Sequence, residues 1–581
     1  MRHVRALPFV LTLLLAITAV AAAAGTSTLV TTGSPVTPFS QNKQNEPAVA
    51  IDASHPTVLA AGANDNIDME ACNAAADTTC PFTNGVGVSG VYFSFDAGKS
   101  WTQPTYTGLT ARGCLGLPGP SDPACTPMAG PIGTLPWYYE NGLVSDGDPA
   151  VAFGPQPDAN GGFSWANGSR LYYANLTANL SAVRSEAGFK GFEAIAVSRT
   201  DNVALAATGG AAGKAAWKAP VVISKQSSTT FSDKEQIWAD NAASSAFFGT
   251  VYVCWAAFRG QELSPNAAPA PLQVGVSHDG GDTWTVQQIG AAANNRNRNP
   301  MDGCTIRTDS SGNAYLYGVG RQGADAFEIQ SISMDGGTSW SKPQPVVGPV
   351  TQPGITDPNT GRPSIDGLAG ARSDLAPAPS VDIANGAPTG TGATNRIVMS
   401  YVSGEIVKPH VYFAESTDGG MTWSTPRAIE GASDRGYYAA PAISPDGTKV
   451  YVVYNAFLTP YQATTATPRS LVGVFMQATA VGSAATGAFT EAHRGTSGDP
   501  RASSQNNLVA EFLGDYVYAA ATNTYGVGVW NDTREAADCP AIDAWRQDIA
   551  TGGTTVPRPA PQQNCPATFG NSDIFSYTTA P

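Results

Sequence analysis

The chain has 581 residues, a formal net charge of −14 at pH 7 and only 13% charged residues. This acidic balance argues against nucleic acids and anionic membrane surfaces as partners. The 62 glycines and 43 prolines suit a fold of short strands joined by many turns. The length is large for one domain, although propellers, barrels and solenoids reach it without dividing.

The first residues have the pattern of a secretory signal peptide. Arg2 and Arg5 are positive, residues 7–20 are apolar but too short to span a membrane, and residues 22–24 are three alanines that fit a cleavage site. No later stretch approaches 18 consecutive apolar residues. We therefore expect a signal peptide over residues 1–24, a secreted, extracellular protein and no membrane span.

Seven units of similar pattern follow along the chain. Each begins with an apolar stretch that predicts an inner strand, and a second β-rich stretch follows after a turn. The predicted inner strands cover residues 47–51, 148–153, 234–238, 302–306, 379–383, 440–443 and 515–518. The predicted second strands cover residues 58–62, 171–173, 251–255, 314–317, 397–401, 450–454 and 526–530. The seventh unit is one strand short after 573–577, and residues 27–32 ahead of the first unit form a spare strand.

Four units end in one short pattern, S-x-D-x-G-x-[ST]-W, at residues 94–101, 277–284, 333–340 and 416–423. The Asp side chain can accept backbone N–H groups and tighten a turn, and the Gly permits a positive φ. The Trp opens the next strand and is large enough to anchor a hairpin in a core. Four copies on one chain indicate a repeat architecture built from β-hairpins.

The pattern is that of the Asp-box, or BNR, repeat, and the chain resembles the secreted Asp-box β-propellers, of which sialidases are the best-known enzymes. The resemblance implies an all-β propeller of four-stranded antiparallel blades, in a single domain over residues 25–581. The seven units favour seven blades, and six blades, the sialidase number, are the alternative. The spare strand at 27–32 can complete the last blade and close the ring, which protects sheet edges.

Eight cysteines fall into near-neighbour pairs. An even number of cysteines in an exported chain predicts disulfides, although eight cysteines allow 105 connectivities. None of the pairs has the C-x-x-C spacing of a zinc site. We expect four disulfides, pairing Cys72 with Cys80, Cys114 with Cys125, Cys254 with Cys304 and Cys539 with Cys565.

In propellers of this kind the ligand face is built by the loops that precede the first strand and follow the second. The Asp-box aspartates lie elsewhere and are expected to be structural. Polar and aromatic residues are numerous in the ligand-face loops, where Asp233, Lys234, Asp374 and Tyr438 are examples. We select as catalytic candidates Glu46, Asp148, Asp515 and Tyr516. We select as substrate-binding candidates Arg372, Arg435, Tyr437 and Asp302.

The resemblance to sialidases implies roles for these residue types. Asp148 or Asp515 is expected to act as acid/base, a Tyr polarised by a carboxylate as nucleophile, and the arginines as ligands of an acidic sugar. Sialidases carry an Arg-Ile-Pro motif on the first inner strand, and Asn45 stands here at the Arg position. Weak or no release of sialic acid is therefore expected.

Other chemistries have little support in the sequence. The five histidines are scattered, no HExxH spacing occurs, and no G-x-S-x-G elbow with triad partners stands out. We expect no cofactor and no metal centre. The stretch 65–70 offers oxygen ligands for calcium, but its spacing fits no EF-hand, so we favour a solvated loop and keep calcium binding as the alternative.

Three functions remain open, and a carbohydrate or glycoconjugate is the expected partner. The first is an exo-acting glycoside hydrolase, the second a non-catalytic propeller that binds glycan or protein, and the third a polysaccharide lyase. Three arginines converging in the channel favour the first, and an aromatic platform without paired carboxylates favours the second. A channel Tyr or His beside a cation that neutralises a carboxylate favours the third.

Overall fold

The computed structural model of the chain describes residues 26–32, 43–70, 83–114, 125–183, 185–224, 227–259, 272–290, 301–405 and 408–581. Within these residues, seven antiparallel blades surround one central channel and form an all-β propeller. The prediction of seven blades is confirmed, and the six-blade alternative is wrong. The predicted signal peptide and the pair Cys72 and Cys80 lie outside the described residues.

Each blade begins at the channel and runs outward. From the channel outward, blade 1 consists of β2 (Gln44–Ile51), β3 (Leu59–Asp65) and β4 (Ser89–Ser94). Blade 2 consists of β7 (Leu143–Ser145) with β8 (Ala150–Pro157), then β9 (Phe163–Asn179), β10 (Ala194–Thr200) and β11 (Trp217–Val222). Blade 3 consists of β12 (Thr230–Ala239), β13 (Val251–Arg259), β14 (Leu272–Ser277) and β15 (Thr285–Gln288). A bridge between Phe93 and Thr102 takes the fourth position of blade 1.

The remaining blades repeat this plan. Their strands are β16 (Asp302–Thr308), β17 (Ala314–Gln322), β18 (Asp325–Ser333) and β19 (Gln344–Val350) in blade 4; β22 (Ser380–Ile383), β23 (Ile397–Glu405), β24 (Lys408–Ser416) and β25 (Arg427–Ala428) in blade 5; β26 (Arg435–Ile443), β27 (Lys449–Phe457), β28 (Leu471–Thr479) and β29 (Thr490–Arg494) in blade 6; and β30 (Tyr518–Ala521), β31 (Gly526–Asp532), β32 (Asp573–Thr578) and β1 (Thr28–Leu29) in blade 7.

The other elements lie in connections. Two small hairpins are β5 (Tyr106–Thr110) with β6 (Met128–Ile132) and β20 (Ile355–Thr356) with β21 (Pro363–Ser364). The short helices of the described residues are α1 (Val203–Ala206), α2 (Gly210–Ala215), α3 (Pro540–Ala550) and α4 (Pro561–Asn564), with 3₁₀ turns at Asn66–Asp68, Tyr139–Asn141 and Pro500–Ala502. None of these helices is long and apolar enough to cross a membrane.

The ring closes as we predicted from the spare strand at residues 27–32. Strand β1 pairs with β32, with Thr28 opposite Ser576 and Leu29 opposite Phe575. Apolar side chains of blades 7 and 1, among them Val527 and Val49, then share one buried cluster. The first and last parts of the chain therefore complete one blade, which leaves the ring without an open junction.

The four S-x-D-x-G-x-[ST]-W segments form one repeated turn. In the copy at 416–423, Ser416 Oγ lies 2.8 Å from Asp418 Oδ1 and accepts the N–H of Gly420 at 2.9 Å. Gly420 has a φ of +79°, and a Cβ there would lie 2.1 Å from Gln330 of the preceding blade. Trp423 stacks edge-on against Tyr317 at 5.8 Å. The turn therefore joins neighbouring blades, and its Trp is half-buried between them rather than enclosed in a core.

Three of the four expected disulfides are present. Cys114 pairs with Cys125, Cys254 with Cys304, and Cys539 with Cys565. The second of these links β13 of blade 3 to β16 of blade 4, so it holds two neighbouring blades together. The fourth expected pair is not covered by the described residues.

Long connections of blades 4 to 7 pack together into what we term the cap, comprising residues 351–375, 458–470, 495–514 and 533–572. Buried guanidinium groups tie its segments together. Arg469 pairs with Glu511 and, at 3.4 Å, with Asp366. Arg546 donates to the carbonyl groups of Leu508 at 2.9 Å and Ala510 at 3.0 Å. Cys539–Cys565 closes the outermost segment. The cap places Arg372 beside the channel.

Candidate active site at the channel mouth

Non-glycine residues with positive φ stand at the start of the inner strands of blades 1 to 3. Glu46 has a φ of +55°, Asp148 of +49° and Lys234 of +63°. The pairing of the inner strand with its neighbour shifts at Glu46 and at Lys234, as a β-bulge does. Such backbone conformations cost energy for residues with a Cβ and persist where the surrounding structure holds them. All three side chains belong to one cluster at the channel mouth.

Asparagines of the preceding blade hold two of these strained peptides. The N–H of Glu46 donates to Asn531 Oδ1 at 3.0 Å, and the N–H of Asp148 donates to Asn64 Oδ1 at 2.7 Å. Asn64 also donates through Nδ2 to Glu46 Oε2 at 2.7 Å and to Asn45 Oδ1 at 2.9 Å. Asn45, at the position of the sialidase motif Arg, is thus a buried member of this support.

Lys234 lies at the centre of the mouth. Its Nζ is 2.9 Å from Asp515 Oδ2, 3.1 Å from Asp148 Oδ2 and 3.3 Å from Asp233 Oδ1. The same ammonium lies 5.5 Å from the centre of the Tyr516 ring. Carboxylates from blades 2, 3 and 7 therefore converge on one cation, within two hydrogen-bond lengths of one another.

Arg372 enters the mouth from the cap. Its Nε and Nη2 donate to the two oxygens of Asp515 at 3.1 and 2.5 Å, and Nη2 lies 3.6 Å from Glu46 Oε1. The guanidinium lies over the ring of Phe512, 4.8 Å from its centre. Tyr438 donates to Asp515 Oδ1 at 2.8 Å. Arg372 is therefore engaged by protein carboxylates in the bidentate geometry that would otherwise hold a ligand's carboxylate.

The carboxyl groups of the mouth divide into two protonation classes. Burial, reinforced by the neighbouring Asp148, raises the pKa of Glu46 well above its usual range. Burial raises the pKa of Asp233 to about 7, despite Lys234, and raises the pKa of Asp302 to about 6. Burial also opposes ionisation of Asp515, but Arg372 and Lys234 outweigh it and lower the pKa. Protonated and ionised carboxyls thus stand side by side, as acid/base chemistry requires.

Half-buried Tyr516 and buried Asp148 form a pair within the mouth. The Tyr516 hydroxyl donates to Asp148 Oδ2 at 3.3 Å. Burial opposes the ionisation of Asp148, but Lys234 and a hydrogen bond from Glu46 outweigh it and lower the pKa. Burial, with Asp148 and Asp233 nearby, raises the pKa of Tyr516 well above its usual value. An ionised acceptor therefore faces a neutral phenol.

The structure brings Glu46, Asp148, Asp515, Tyr516 and Arg372 into one cluster, and Asp302 lies at its edge. The other two selected residues point elsewhere. Arg435 donates to the carbonyl groups of Ile365 and, at 2.8 Å, Thr459, so it braces the cap. Tyr437 is buried and donates to the carbonyl groups of Arg372 at 2.8 Å and Gly514 at 3.2 Å, so it supports the backbone of mouth residues.

Our selection of candidates from the ligand-face loops does not include Lys234, Asp233 or Asn64. A signal was nevertheless present, because aligning the inner strands of blades 1, 2 and 3 puts Glu46, Asp148 and Lys234 at the same point of the repeat. In a closed ring, the starts of the inner strands surround one channel. A lysine at this position in one blade and carboxylates at the same position in the two preceding blades are therefore predicted to pair.

The stretch 65–70 is neither a solvated loop nor free to coordinate an ion through its two aspartates. Asp65 is buried and accepts the hydroxyl of Tyr92 at 2.6 Å and the amide of Gln103 at 2.7 Å. Asp68 is buried and pairs with Arg112 at 2.7 Å and with the hydroxyl of Thr134 at 2.7 Å. Protein donors therefore occupy both carboxylates.

Comparisons with known proteins return structural likeness only. No known family profile and no curated protein matches the chain. Among solved structures, the Hadza microbial sialidase Hz136 is 13% identical with a TM-score of 0.37 over 71% of this chain and 63% of its own. A leech intramolecular trans-sialidase is 12% identical with a TM-score of 0.39 over 73% and 67%. The BP39L lectin of Burkholderia pseudomallei is 13% identical with a TM-score of 0.40 over 85% and 94%. No functional assignment follows from these likenesses.

Proposed function

We propose that the chain is an exported, exo-acting glycoside hydrolase whose active site is the channel mouth and whose terminal sugar carries no carboxylate. The observation that carries the proposal is the Tyr516 hydroxyl on Asp148, beside Asp233 with its pKa of about 7. This set supplies a nucleophile, a base for it and a separate acid. The signal-like residues 1–24 and the three disulfides support export.

The chemistry follows from these positions. Tyr516 Oη attacks the anomeric carbon while Asp148 accepts the phenolic proton, and protonated Asp233 gives its proton to the departing glycosidic oxygen. Water then attacks the glycosyl–tyrosine bond, Asp233 accepts a proton from that water, and Asp148 returns its proton to Tyr516. Two displacements on one carbon retain the configuration of the sugar.

The pairing of the mouth cations defines the substrate class. Among the described residues, Arg372 is bidentate to Asp515 and Lys234 is shared by three carboxylates. An acidic sugar would have to displace these internal partners. Asn45 offers no charge in compensation. In the described part of the mouth, the same pairing leaves neither Arg372 nor Lys234 free to neutralise a uronate, which argues against the lyase alternative.

A non-catalytic glycan-binding site is the second candidate. It is favoured by the mutual satisfaction of the mouth charges and by the side chains of Glu46 and Asp515, each only 1% exposed. Such a site binds sugar without cleaving it, so turnover separates the two candidates.

The test is a panel of neutral, amino and acidic chromogenic glycosides. We expect turnover of a neutral or amino glycoside. In Tyr516→Phe and Asp148→Asn, kcat should be lower by a factor of at least about 100, which is the smallest effect typical of losing acid–base catalysis. Tyr454 and Asp434 of blade 6 are a matched control pair, because Tyr454 donates to Asp434 at 2.7 Å away from the channel. Tyr454→Phe and Asp434→Asn should retain kcat. Sugar binding without turnover across the panel would favour the second candidate.

A further inference from the structure

A second cavity lies within the channel, further along the inner strands than the mouth cluster. Its volume is about 250 Å³, and it is lined by the inner strands of all seven blades. We term it the axial chamber. Pockets for drug-sized ligands are typically about 300–1,000 Å³, so the chamber suits a smaller molecule. None of the charged residues of the mouth cluster lines it.

One side of the chamber combines small side chains with larger ones such as Ile51, Phe153 and Tyr518. Blades 1, 2 and 7 contribute Ala50, Ala152 and Ala520 to its wall. Blades 3, 4 and 5 contribute Trp238, Arg307 and Asp382 at the same level. The alanines leave space, and the opposite wall offers an indole, a guanidinium and a carboxylate.

The polar wall retains hydrogen-bonding capacity. Arg307 Nε lies 3.5 Å from Asp382 Oδ1 and forms no hydrogen bond among the described residues. The guanidinium lies over Trp238, 4.7 Å from the ring centre. Asp382 accepts the N–H of Ile443 at 2.9 Å through Oδ2. Arg307 Nη1 donates to the carbonyl group of Ile306 at 2.8 Å, and the remaining Nη N–H groups of the guanidinium can donate to a ligand in the chamber.

The charges of the wall indicate the class of ligand. Arg307 and Asp382 stand side by side and cancel, so a net anion meets the carboxylate and a net cation meets the guanidinium. A neutral molecule with both donors and acceptors suits both groups, and the Trp238 and alanine surfaces suit its C–H faces. We propose that the axial chamber is a second ligand site, for a neutral polyhydroxy molecule of monosaccharide size.

The end of the chamber away from the mouth borders solvent. At the opposite end of the inner strands its lining ends in polar residues, among them Asn241, Asn385, Asn523 and Thr524. Asn523 and Thr524 are exposed. Binding in the chamber is therefore expected to be independent of the mouth residues.

Ligand-observed NMR titration tests the proposal with glucose, galactose and mannose as neutral probes, and glucuronate and glucosamine as charged counterparts. Wild type should bind a neutral hexose more tightly than either charged sugar. Ala520→Leu and Ala50→Leu, which fill the chamber from two blades, should weaken that binding at least tenfold, as should Arg307→Met. Asp434→Asn, which alters neither the mouth nor the chamber lining, should leave it unchanged.

Several outcomes would overturn the chamber as a sugar site. These are no binding of any neutral probe, tighter binding of a charged sugar, or undiminished binding in the folded variants. Circular dichroism and the thermal midpoint establish folding, and Arg307→Met decides the matter if both leucine variants unfold. Turnover depends on the mouth, whereas loss of hexose binding in Ala520→Leu and Ala50→Leu depends on the chamber, so failure of the hydrolase proposal is distinguished from failure of this one.

Discussion

Glu328 is a buried acid that ionises more readily in the unfolded state than in the folded state, which should lower stability at neutral pH. It lies on β18 with 0% exposure, and neither carboxyl oxygen has a hydrogen-bond partner among the described residues. Burial raises the pKa of Glu328 well above its ordinary value of 4.5. The folded state therefore keeps a proton that the unfolded state loses as the pH rises above 4.5.

The size of the effect follows from proton linkage. Where the folded state holds one proton more than the unfolded state, the free energy of unfolding falls by about 1.4 kcal/mol per pH unit. The contribution is fully present below pH 4.5 and is lost as the pH rises towards the folded-state pKa. From pH 4.5 upward the loss grows at this slope until the pH reaches the folded-state pKa. Glu328→Gln keeps the shape and removes the titration, so the variant should gain stability relative to wild type as the pH rises from 4.5 to 7.

Urea unfolding of wild type and Glu328→Gln at intervals from pH 4 to 8 measures the difference directly. Glu405→Gln is the matched control, because Glu405 is exposed at the end of β23. The stability difference between Glu328→Gln and wild type should be small at pH 4 and grow steadily towards pH 7. Parallel pH profiles for the two proteins would refute the argument.

Three further predictions follow from the site and the blades. Because Asp233 must be protonated to act as acid and its pKa is about 7, kcat should fall above about pH 7. Asp233→Asn should remove this fall from the pH profile of kcat, together with most of the activity on substrates with poor leaving groups. The paired change Cys254→Ala and Cys304→Ala opens a loop of 50 residues between blades 3 and 4 and should lower the free energy of unfolding by about 2–4 kcal/mol, measured by denaturant titration. Trp423→Ala should cost about 2 kcal/mol, below the range of about 3–5 kcal/mol for a fully buried ring, and should leave sugar binding unchanged in calorimetry.

The architecture was predictable because its signals are local. The Ser416–Asp418–Gly420 contacts form within one turn, and four copies of that turn identify the repeat. The blade number follows from the seven pairs of apolar strands along the chain. The missing strand of the last unit predicted the pairing of β1 with β32, since a ring cannot leave one blade incomplete. These features depend on neighbours in the sequence or on the logic of closure.

The site was only partly predictable because it is assembled across the ring. Arg435 and Arg372 occupy similar loop positions in the sequence, yet the cap turns Arg435 onto backbone carbonyls and Arg372 into the mouth. The cap exists only through distant contacts, such as Arg469 with Asp366. Lys234 acquires its role from carboxylates on other blades, and nothing adjacent to it in the sequence reveals them.

Trapping of the glycosyl intermediate tests the central claim most directly. Wild type is incubated with an activated 2-deoxy-2-fluoro derivative of whichever neutral or amino glycoside it cleaves, and the digested protein is mapped by mass spectrometry. The account predicts a glycosyl adduct on the peptide that contains Tyr516, on Tyr516 itself, and no adduct in Tyr516→Phe. An adduct on another residue, or cleavage that proceeds unchanged in Tyr516→Phe, would contradict it.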